Sequence, residues 1–355
     1  MLPWSVIAMP GIPSSSALPN SSAPCGKTAR LCSPTAVSLK AYSGHALTVE
    51  SEIVGDSDIL LKGESTTGSP HGVFVLNSAN TNWFGRIALL SVPTNRNSDT
   101  REILSRWSSN YNTLRLYGNW NLGGRLPTFD ARALEIRDHN ELCAMNDVTL
   151  EASANRGILV SETCARINVT DGSTLTCGWP IALDARLYKT GKGTLALGAP
   201  VRPLVAAAAA ERRTLVVTNG CVKALCADCL DGVAIDLGPA NDVALAVDFN
   251  PSDTRLRRFG FCLVAADEPF AGGRPIRFRI DGGERAETAS GNVTQGLLTV
   301  RTSAADRIAG LLTVANPLPK GGVRTFEVLR TDDVRTGLTT FAVRFGGAGF
   351  SVFLQ

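Results

Sequence analysis

The sequence predicts an all-β protein, and within that class it favours a solenoid of stacked coils over a β-sandwich, which stays the alternative. Short apolar runs recur along the 355 residues and are separated by Gly, Asn, Asp or Ser, as in a chain that turns often. A weak internal repeat relates residues 46–63 to residues 174–191, with Gly63 matching Gly191. Repeats of strand and turn are typical of solenoids, in which each coil buries its inward side chains against its neighbours.

The strand candidates follow one another at short intervals, each an alternating or short apolar run bounded by turn residues. The first are AVSLKAY (36–42), ALTVESEIV (46–54), DILLKG (58–63), GVFVLN (72–77) and FGRIALLSV (84–92). The series continues through TLRLYG, ALEIR, DVTLE, GILVS, ARINVT, TLTCG, ARLYKT and TLALG, and RTLVVTNG, GVAIDLG, VALAVDF, FCLVA, PIRFRI, GLLTV, RTFEVLR, TTFAVRF and FSVFLQ complete it. Asn219–Gly220 is the one Asn-Gly hairpin signal, and this scarcity favours the solenoid.

We expect three segments along the chain. Residues 1–35, rich in Pro and Ser, are predicted to be a flexible leader. They are not expected to be a secretory signal, because no basic residue precedes Lys27 and prolines interrupt the apolar stretch. Residues 36–320 form the predicted solenoid and residues 321–355 a C-terminal β cap. No apolar run is long enough for a transmembrane helix.

The charge of the chain gives no argument for a nucleic-acid partner or an anionic membrane surface. The 35 basic residues nearly balance the 32 acidic residues, which leaves a net charge of +3. The basic residues are also scattered along the sequence. We therefore predict no nucleic-acid partner.

The segment KTGKGTLALG (189–198) is the most motif-like stretch in the chain. A phosphate-binding loop needs four residues between its first glycine and Gly-Lys-Ser/Thr. Here Lys-Gly-Thr follows Gly191 at once, so the spacing fails. We interpret the segment as a tight turn that leads into a strand, with Gly191 and Gly193 supplying backbone geometry that other residues adopt poorly.

Side-chain directions follow from this interpretation. The predicted turn glycines are Gly63, Gly191, Gly193 and Gly198. Lys189 and Lys192 are expected to point to solvent, and Leu195 and Leu197 into the coil interior.

The same segment resembles a known repeat. Its pattern is similar to the autotransporter-associated β-strand repeat of large bacterial surface proteins, and the matching residues are Leu187, Lys189, Gly191, Gly193, Thr194, Leu195, Leu197 and Gly198. A degraded earlier copy spans residues 59–90. The resemblance implies a pectin-lyase-like, right-handed parallel β-helix that is exported and displayed. It also implies a passenger-like protein, here expected to lack its own membrane barrel.

The nine cysteines admit several interpretations. CVKALCADC places Cys221, Cys226 and Cys229 at the spacing of a plant-type iron–sulfur ligand set, with Cys262 as a fourth thiolate. A disulfide, either between Cys226 and Cys229 or between Cys25 and Cys32, is the second interpretation. The third, which we favour, is that the cysteines are buried thiols behaving as small apolar residues. We therefore predict no metal and no cofactor.

The sequence favours a non-enzymatic role. His45, His71 and His139 stand beside no nucleophile motif. We expect a surface-displayed or secreted scaffold of the adhesin type, located outside the cell, with a glycan or a host or cell-surface protein as its partner.

The alternative is a β-helical polysaccharide lyase or glycoside hydrolase that uses paired carboxylates. Its candidate acids are Asp56, Asp58, Asp184, Asp332 and Asp333. The tryptophans Trp83, Trp107, Trp120 and Trp179 discriminate between the two functions, because a row of exposed aromatics beside clustered acids would favour the enzyme.

Overall fold

The structure, a computed structural model, describes residues 28–31, 36–42, 45–64, 72–90, 111–205, 214–249, 253–266, 268–288, 293–315 and 326–346. In chain order the strands of these segments are β1 (Thr28–Leu31), β2 (Val37–Tyr42), β3 (Ala46–Val49), β4 (Glu52–Gly55), β5 (Ile59–Glu64), β6 (Val73–Leu76), β7 (Ile87–Leu89), β8 (Thr113–Leu116), β9 (Asp130–Arg137), β10 (Glu141–Ala144), β11 (Val148–Leu150), β12 (Arg156–Ser161), β13 (Cys164–Val169), β14 (Thr174–Cys177), β15 (Ile181–Leu183), β16 (Arg186–Thr190), β17 (Thr194–Leu197), β18 (Val201–Pro203), β19 (Thr214–Val217), β20 (Cys221–Ala224), β21 (Ala234–Leu237), β22 (Ala244–Asp248), β23 (Phe261–Cys262), β24 (Phe270–Ala271), β25 (Ile276–Asp281), β26 (Val293–Arg301), β27 (Leu312–Val314), β28 (Phe326–Asp333) and β29 (Leu338–Phe345). Two α-helices, α1 (Thr254–Phe259) and α2 (Thr302–Ala309), and 3-10 turns at Ala152–Ala154 and Gly283–Thr288 interrupt them.

Three long sheets form the body of the molecule. Sheet I joins β2, β5, β7, β9, β12, β15 and β18; sheet II joins β3, β6, β8, β10, β13, β16, β19, β21 and β24; sheet III joins β11, β14, β17, β20, β22, β25 and β27. A coil gives one strand to each sheet in turn, as β12, β13 and β14 do, and its strands pair in parallel with those of the next coil. The fold is therefore a parallel β-helix, as predicted. The β-sandwich alternative is wrong, because sandwiches are built from antiparallel sheets.

Aliphatic side chains stack on one another in the interior. In sheet I, the register places Ile59, Ile87, Leu134, Ile158 and Ile181 in one continuous column, and all of them are buried. Each buried side chain of this kind contributes about 1.5–3 kcal/mol. The short β-branched and leucine-containing runs of the sequence supply one such residue per coil, which explains why the strands are short and frequent.

The last described strands form a sheet that is partly antiparallel. Strands β28 and β29 form an antiparallel hairpin, and β29 also pairs antiparallel with β26. The hairpin lies in the predicted cap, residues 321–355. Strand β26 precedes that segment, so the antiparallel closure begins before residue 321. At the other end, β1 lies within the predicted leader, residues 1–35, and pairs in parallel with β4.

The internal repeat used in the prediction does not superpose in space. Residues 46–49 form β3 in sheet II, whereas the matched residues 174–177 form β14 in sheet III. The coils differ in length because their turns differ, so an equal sequence spacing falls on different faces. Within the described residues, no helix is long and apolar enough to cross a lipid bilayer.

Two buried asparagines hold the corner between sheets I and II. The backbone N–H of Asn112 donates to Asn140 Oδ1 at 2.7 Å, and Asn112 Oδ1 accepts from the N–H of Gly72 at 3.3 Å. The Asn140 amide nitrogen donates to the carbonyls of Leu89 and Leu90 at 3.0 and 3.1 Å. Neither side chain is exposed to solvent. The pair therefore satisfies backbone groups that the corner removes from the sheet ladders.

We expect Asn140→Ala to lower the free energy of unfolding by about 2–4 kcal/mol, because it leaves several buried backbone groups without a partner. Asn146→Ala is the matched control, since Asn146 is exposed in the same coil and makes one bond, to the carbonyl of Tyr117. Urea denaturation of both variants measures the difference. Equal stability of the two variants would contradict the structural role of Asn140.

Candidate functional site

The glycines of the KTGKGT segment lie in the turn between β16 and β17. Gly191 has a φ of +72°, which favours glycine. At Gly193, a Cβ atom would lie 2.2 Å from the carbonyl oxygen of Thr170 in the coil before, so a side chain does not fit. Two backbone N–H groups at the end of this turn bond to the coil before, Gly193 N to the carbonyl of Val169 and Thr194 N to the carbonyl of Ser173. Those N–H groups are therefore committed to the fold rather than aimed at an anion.

The other two predicted turn glycines have different surroundings. Gly63 lies inside β5, where a Cβ would meet Asn112 Oδ1 at 2.1 Å. Its lack of a side chain leaves room for the corner asparagine, so close packing and not a turn explains the glycine. Gly198 follows β17, and the nearest atom to its Cβ position is 3.5 Å away, an ordinary contact.

Lys189 is buried, and the prediction that it points to solvent is wrong. It lies in a column of inward side chains between Ile167 and Val217. Its Nζ donates to the carbonyls of Thr190, Gly191 and Asn219 at 2.8, 2.7 and 3.1 Å.

Strand alternation explains this position. Leu187 faces inward on β16, so Lys189, two residues later, faces inward as well. Burial lowers its pKa from the ordinary 10.5 to about 8. Lys192 is exposed and Leu195 and Leu197 are buried, as predicted.

The four cysteines of the iron–sulfur interpretation do not converge. Cys221 lies on β20 and Cys262 on β23, while Cys226 and Cys229 share the turn after β20. In the part of the chain that the structure describes, no three His, Cys, Asp or Glu side chains are placed to hold a metal ion.

The same part of the chain contains no disulfide, and seven cysteines are free thiols, six of them buried. A hydrogen bond between Cys226 and Cys229 lowers the pKa of Cys226 and raises that of Cys229. Cys25 and Cys32 lie outside the described residues.

The tryptophans do not form an exposed row. Trp83 and Trp179 are buried, Trp120 is half-buried, and Trp107 lies outside the described residues. The guanidinium carbon of Arg156 lies 5.6 Å from the ring centre of Trp83 and 6.0 Å from that of Trp179. The guanidinium cation therefore lies within cation–π distance of both buried rings.

Arg156 is itself buried and acts as a clamp on turns. Its guanidinium donates to the carbonyls of Gly124, Gly85 and Trp83 at 2.8, 2.9 and 3.1 Å. Burial lowers its pKa to about 10, although the charge of Asp130 acts in the opposite direction. Like Lys189, it supplies hydrogen-bond donors where turn carbonyls face the interior.

The predicted catalytic aspartates are dispersed. Asp56 and Asp58 lie between β4 and β5, Asp184 follows β15, and Asp332 and Asp333 end β28. Those with described contacts have structural partners. Asp58 accepts from the backbone N–H of Arg86 at 2.9 Å, and Asp333 accepts from the N–H groups of its own hairpin turn. His45 is exposed, and His71 lies outside the described residues.

The outer surface of sheet II carries a cluster that sequence reasoning missed. We call it the contact face and define it by six half-buried or buried residues, Tyr111, Arg115, Glu141, Arg166, Asn168 and Tyr188. Register sets Glu141, Arg166 and Tyr188 side by side on successive strands. The Arg166 guanidinium carbon lies 4.5 Å from the Tyr111 ring centre. Burial raises the pKa of Glu141, although a hydrogen bond from Asn168 and the nearby arginine charges act in the opposite direction.

A second cluster lies at the edge of the same surface, where the chain enters sheet II. Cys164 Sγ is 3.0 Å from His139 Nδ1, and His139 Nε2 is 3.9 Å from Asp138 Oδ1. Asp138 and His139 both have positive φ, +36° and +65°. The register that pairs Glu141 with Arg166 also brings His139 level with Cys164, although 25 positions separate them in sequence. That spacing carries no motif, so the histidine could not be linked to the thiol beforehand.

The chain was compared with known proteins. No protein-family model, no curated protein and no solved structure matches it. The resemblance to the autotransporter-associated repeat thus stays a prediction.

We expect Gly193→Ala to lower the free energy of unfolding by about 1–3 kcal/mol, because the new Cβ overlaps a backbone carbonyl that cannot move without shifting a coil. Gly198→Ala is the matched control, and its effect is expected to stay within about 0.5 kcal/mol. Thermal unfolding of both variants tests this. An unchanged Tm for Gly193→Ala would show that the turn tolerates a side chain.

Lys189→Met is expected to change how stability depends on pH. The pKa of Lys189 is the ordinary 10.5 in the unfolded chain and about 8 in the folded chain. The folded chain therefore releases the proton at a lower pH. Between those values the unfolded state binds more protons, so Lys189 makes stability rise with pH. The unfolding free energy of the wild type relative to Lys189→Met should therefore increase across that window. A constant difference would mean that Lys189 titrates alike in both states.

Proposed function

We propose that the protein is a non-enzymatic β-helical scaffold, displayed on a cell surface or secreted, that binds a glycan along the contact face. The observation that carries the proposal is the contact face itself. Six side chains from four successive strands or their approaches lie together on the outer surface of sheet II. A solenoid offers such a surface because its strands stack in register over a long distance.

The chemistry of the contact face favours a polar, extended partner. Tyr111 and Tyr188 present planar rings, and Arg115 and Arg166 present several N–H donors in a fixed geometry. Two arginines against the single acid Glu141 also favour a ligand that carries negative charge. An acidic polysaccharide meets these conditions, because it offers hydroxyl groups to the donors and carboxylates to the guanidinium groups.

Preorganisation strengthens this argument. Tyr111 packs against Arg166, and Tyr188 accepts a hydrogen bond from Arg186 at 3.4 Å. Side chains held in this way lose little conformational freedom on binding, which improves affinity. The dispersed aspartates and the buried tryptophans support a binding role over the lyase or hydrolase alternative.

Titration calorimetry with polygalacturonate, an acidic polymer, and with dextran, a neutral one, tests the proposal. We expect binding of polygalacturonate, and about tenfold weaker binding by Arg166→Ala and by Tyr188→Ala. Arg132→Ala is the matched control, because Arg132 is exposed on β9 in sheet I and should leave the affinity unchanged.

The chain length of the polymer distinguishes the two classes of function. Size-exclusion chromatography after long incubation should show polygalacturonate of unchanged length. Shortened chains would favour the lyase or hydrolase. A polymer that neither binds nor shortens would overturn the glycan as partner and turn attention to a cell-surface protein.

A further inference from the structure

The cluster of Cys164, His139 and Asp138, where the chain enters sheet II, has the geometry of an activated thiol. Cys164 is the first residue of β13, and His139 precedes β10 in the coil before. The backbone N–H of His139 donates to the Cys164 carbonyl at 2.7 Å, which fixes the two residues side by side. Their side chains meet at 3.0 Å between Sγ and Nδ1, within reach of proton transfer.

The second ring nitrogen of His139 faces a carboxylate. Asp138 Oδ1 lies 3.9 Å from His139 Nε2, and both side chains are largely covered. A carboxylate on that side favours the tautomer with the proton on Nε2, which leaves Nδ1 free to accept the thiol proton. The order of groups is therefore thiol, imidazole and carboxylate, the arrangement that activates a nucleophile.

The positive charges of Arg166 and Arg186 lie beside the sulfur. Cys164 is paired in register with Arg186 on β16, and Arg166 lies two residues further along β13. Burial and the charge of Asp138 raise the pKa of Cys164, while both arginine charges lower it. Thus the resting group is a thiol that needs a base at the moment of attack, and the arginines stabilise the negative charge that then develops.

The backbone at this corner is strained. Asp138, His139 and Glu162 have φ of +36°, +65° and +70°, which non-glycine residues adopt rarely. Such conformations are energetically costly and persist where the surrounding structure imposes them. In this backbone conformation the His139 side chain lies against the thiol.

The geometry points to a function for this cluster, which shares Arg166 with the contact face but does not require a glycan to bind there: Cys164 is a nucleophile that accepts an acyl group from a small ester, with His139 as its base. As Sγ attacks the carbonyl carbon, the thiol proton passes to His139 Nδ1. The carbon–oxygen bond of the ester then breaks, and the leaving alkoxide takes that proton. The products are an S-acyl thioester on Cys164 and a free alcohol.

Cys143 provides a control within the same molecule. It faces outward from β10 on the same sheet, and 5% of it is exposed compared with 6% of Cys164. Its sulfur lies 3.5 Å from Met145 Sδ, and its register partners are Arg115 and Asn168. It therefore matches Cys164 in sheet and exposure but lacks the imidazole, and of the two charges nearest to it Glu141 raises its pKa while Arg115 lowers it.

Acetylation by p-nitrophenyl acetate near neutral pH tests the proposal. We expect release of one equivalent of p-nitrophenol per chain, and peptide mapping by mass spectrometry should place the acetyl group on Cys164. The reaction at Cys164 should be about 10²-fold faster than at Cys143, the size of a general-base contribution. Cys164→Ser should abolish the rapid phase.

His139→Gly removes the base while keeping the turn, because glycine adopts a positive φ readily. This variant should acetylate at about the rate of Cys143, and added imidazole should restore a large part of the loss. A thermal unfolding curve confirms that it is folded. Rapid acetylation located on Cys226 instead of Cys164, or a His139→Gly rate equal to that of the wild type, would overturn the proposal.

Discussion

Register between coils is the constraint on which this structure depends. Every strand inside the three long sheets pairs in parallel with the strand of the coil before and the strand of the coil after, so each of its side chains lies between its counterparts. An inward position must therefore be apolar in every coil or must satisfy the polar groups around it. The column from Ile59 to Ile181 is apolar in every coil. At the corners between sheets, the inward side chains instead form hydrogen bonds with the polar groups around them.

The corners explain several of the buried polar residues. Turning the chain exposes carbonyl groups to the interior, and three kinds of donor meet them: the amides of Asn112 and Asn140, the guanidinium of Arg156 and the ammonium of Lys189. A charged group buried in this way gains enough hydrogen bonds to offset part of its loss of hydration. Burial lowers the pKa of both Lys189 and Arg156, which shows that hydration is only partly replaced. These residues are accordingly part of the scaffold, not of a site.

The fold could be predicted from the sequence, whereas the clusters on its surface could not. Short apolar runs between turn residues are a local signal, and a parallel β-helix is what they build. Alternation could also have placed Lys189 inside, because Leu187 two residues before it is inward. The meeting of His139 with Cys164, or of Tyr111 with Arg166, depends on the length of each coil, which is set by irregular turns. The misplaced repeat, with β3 and β14 on different sheets, has the same cause.

The hairpin of β28 and β29 differs from the coils in how its strands pair. Strand β28 carries Glu327, Arg330 and Asp332, and charges on an edge strand discourage pairing with another chain. Because β29 runs antiparallel to β26, the parallel pairing that joins β23 to β26 ends at the hairpin. A change in the number of coils in the middle of the stack would leave this hairpin as it is. A longer or shorter relative would then be built by inserting or deleting whole coils, with its outer surface lengthened in equal steps.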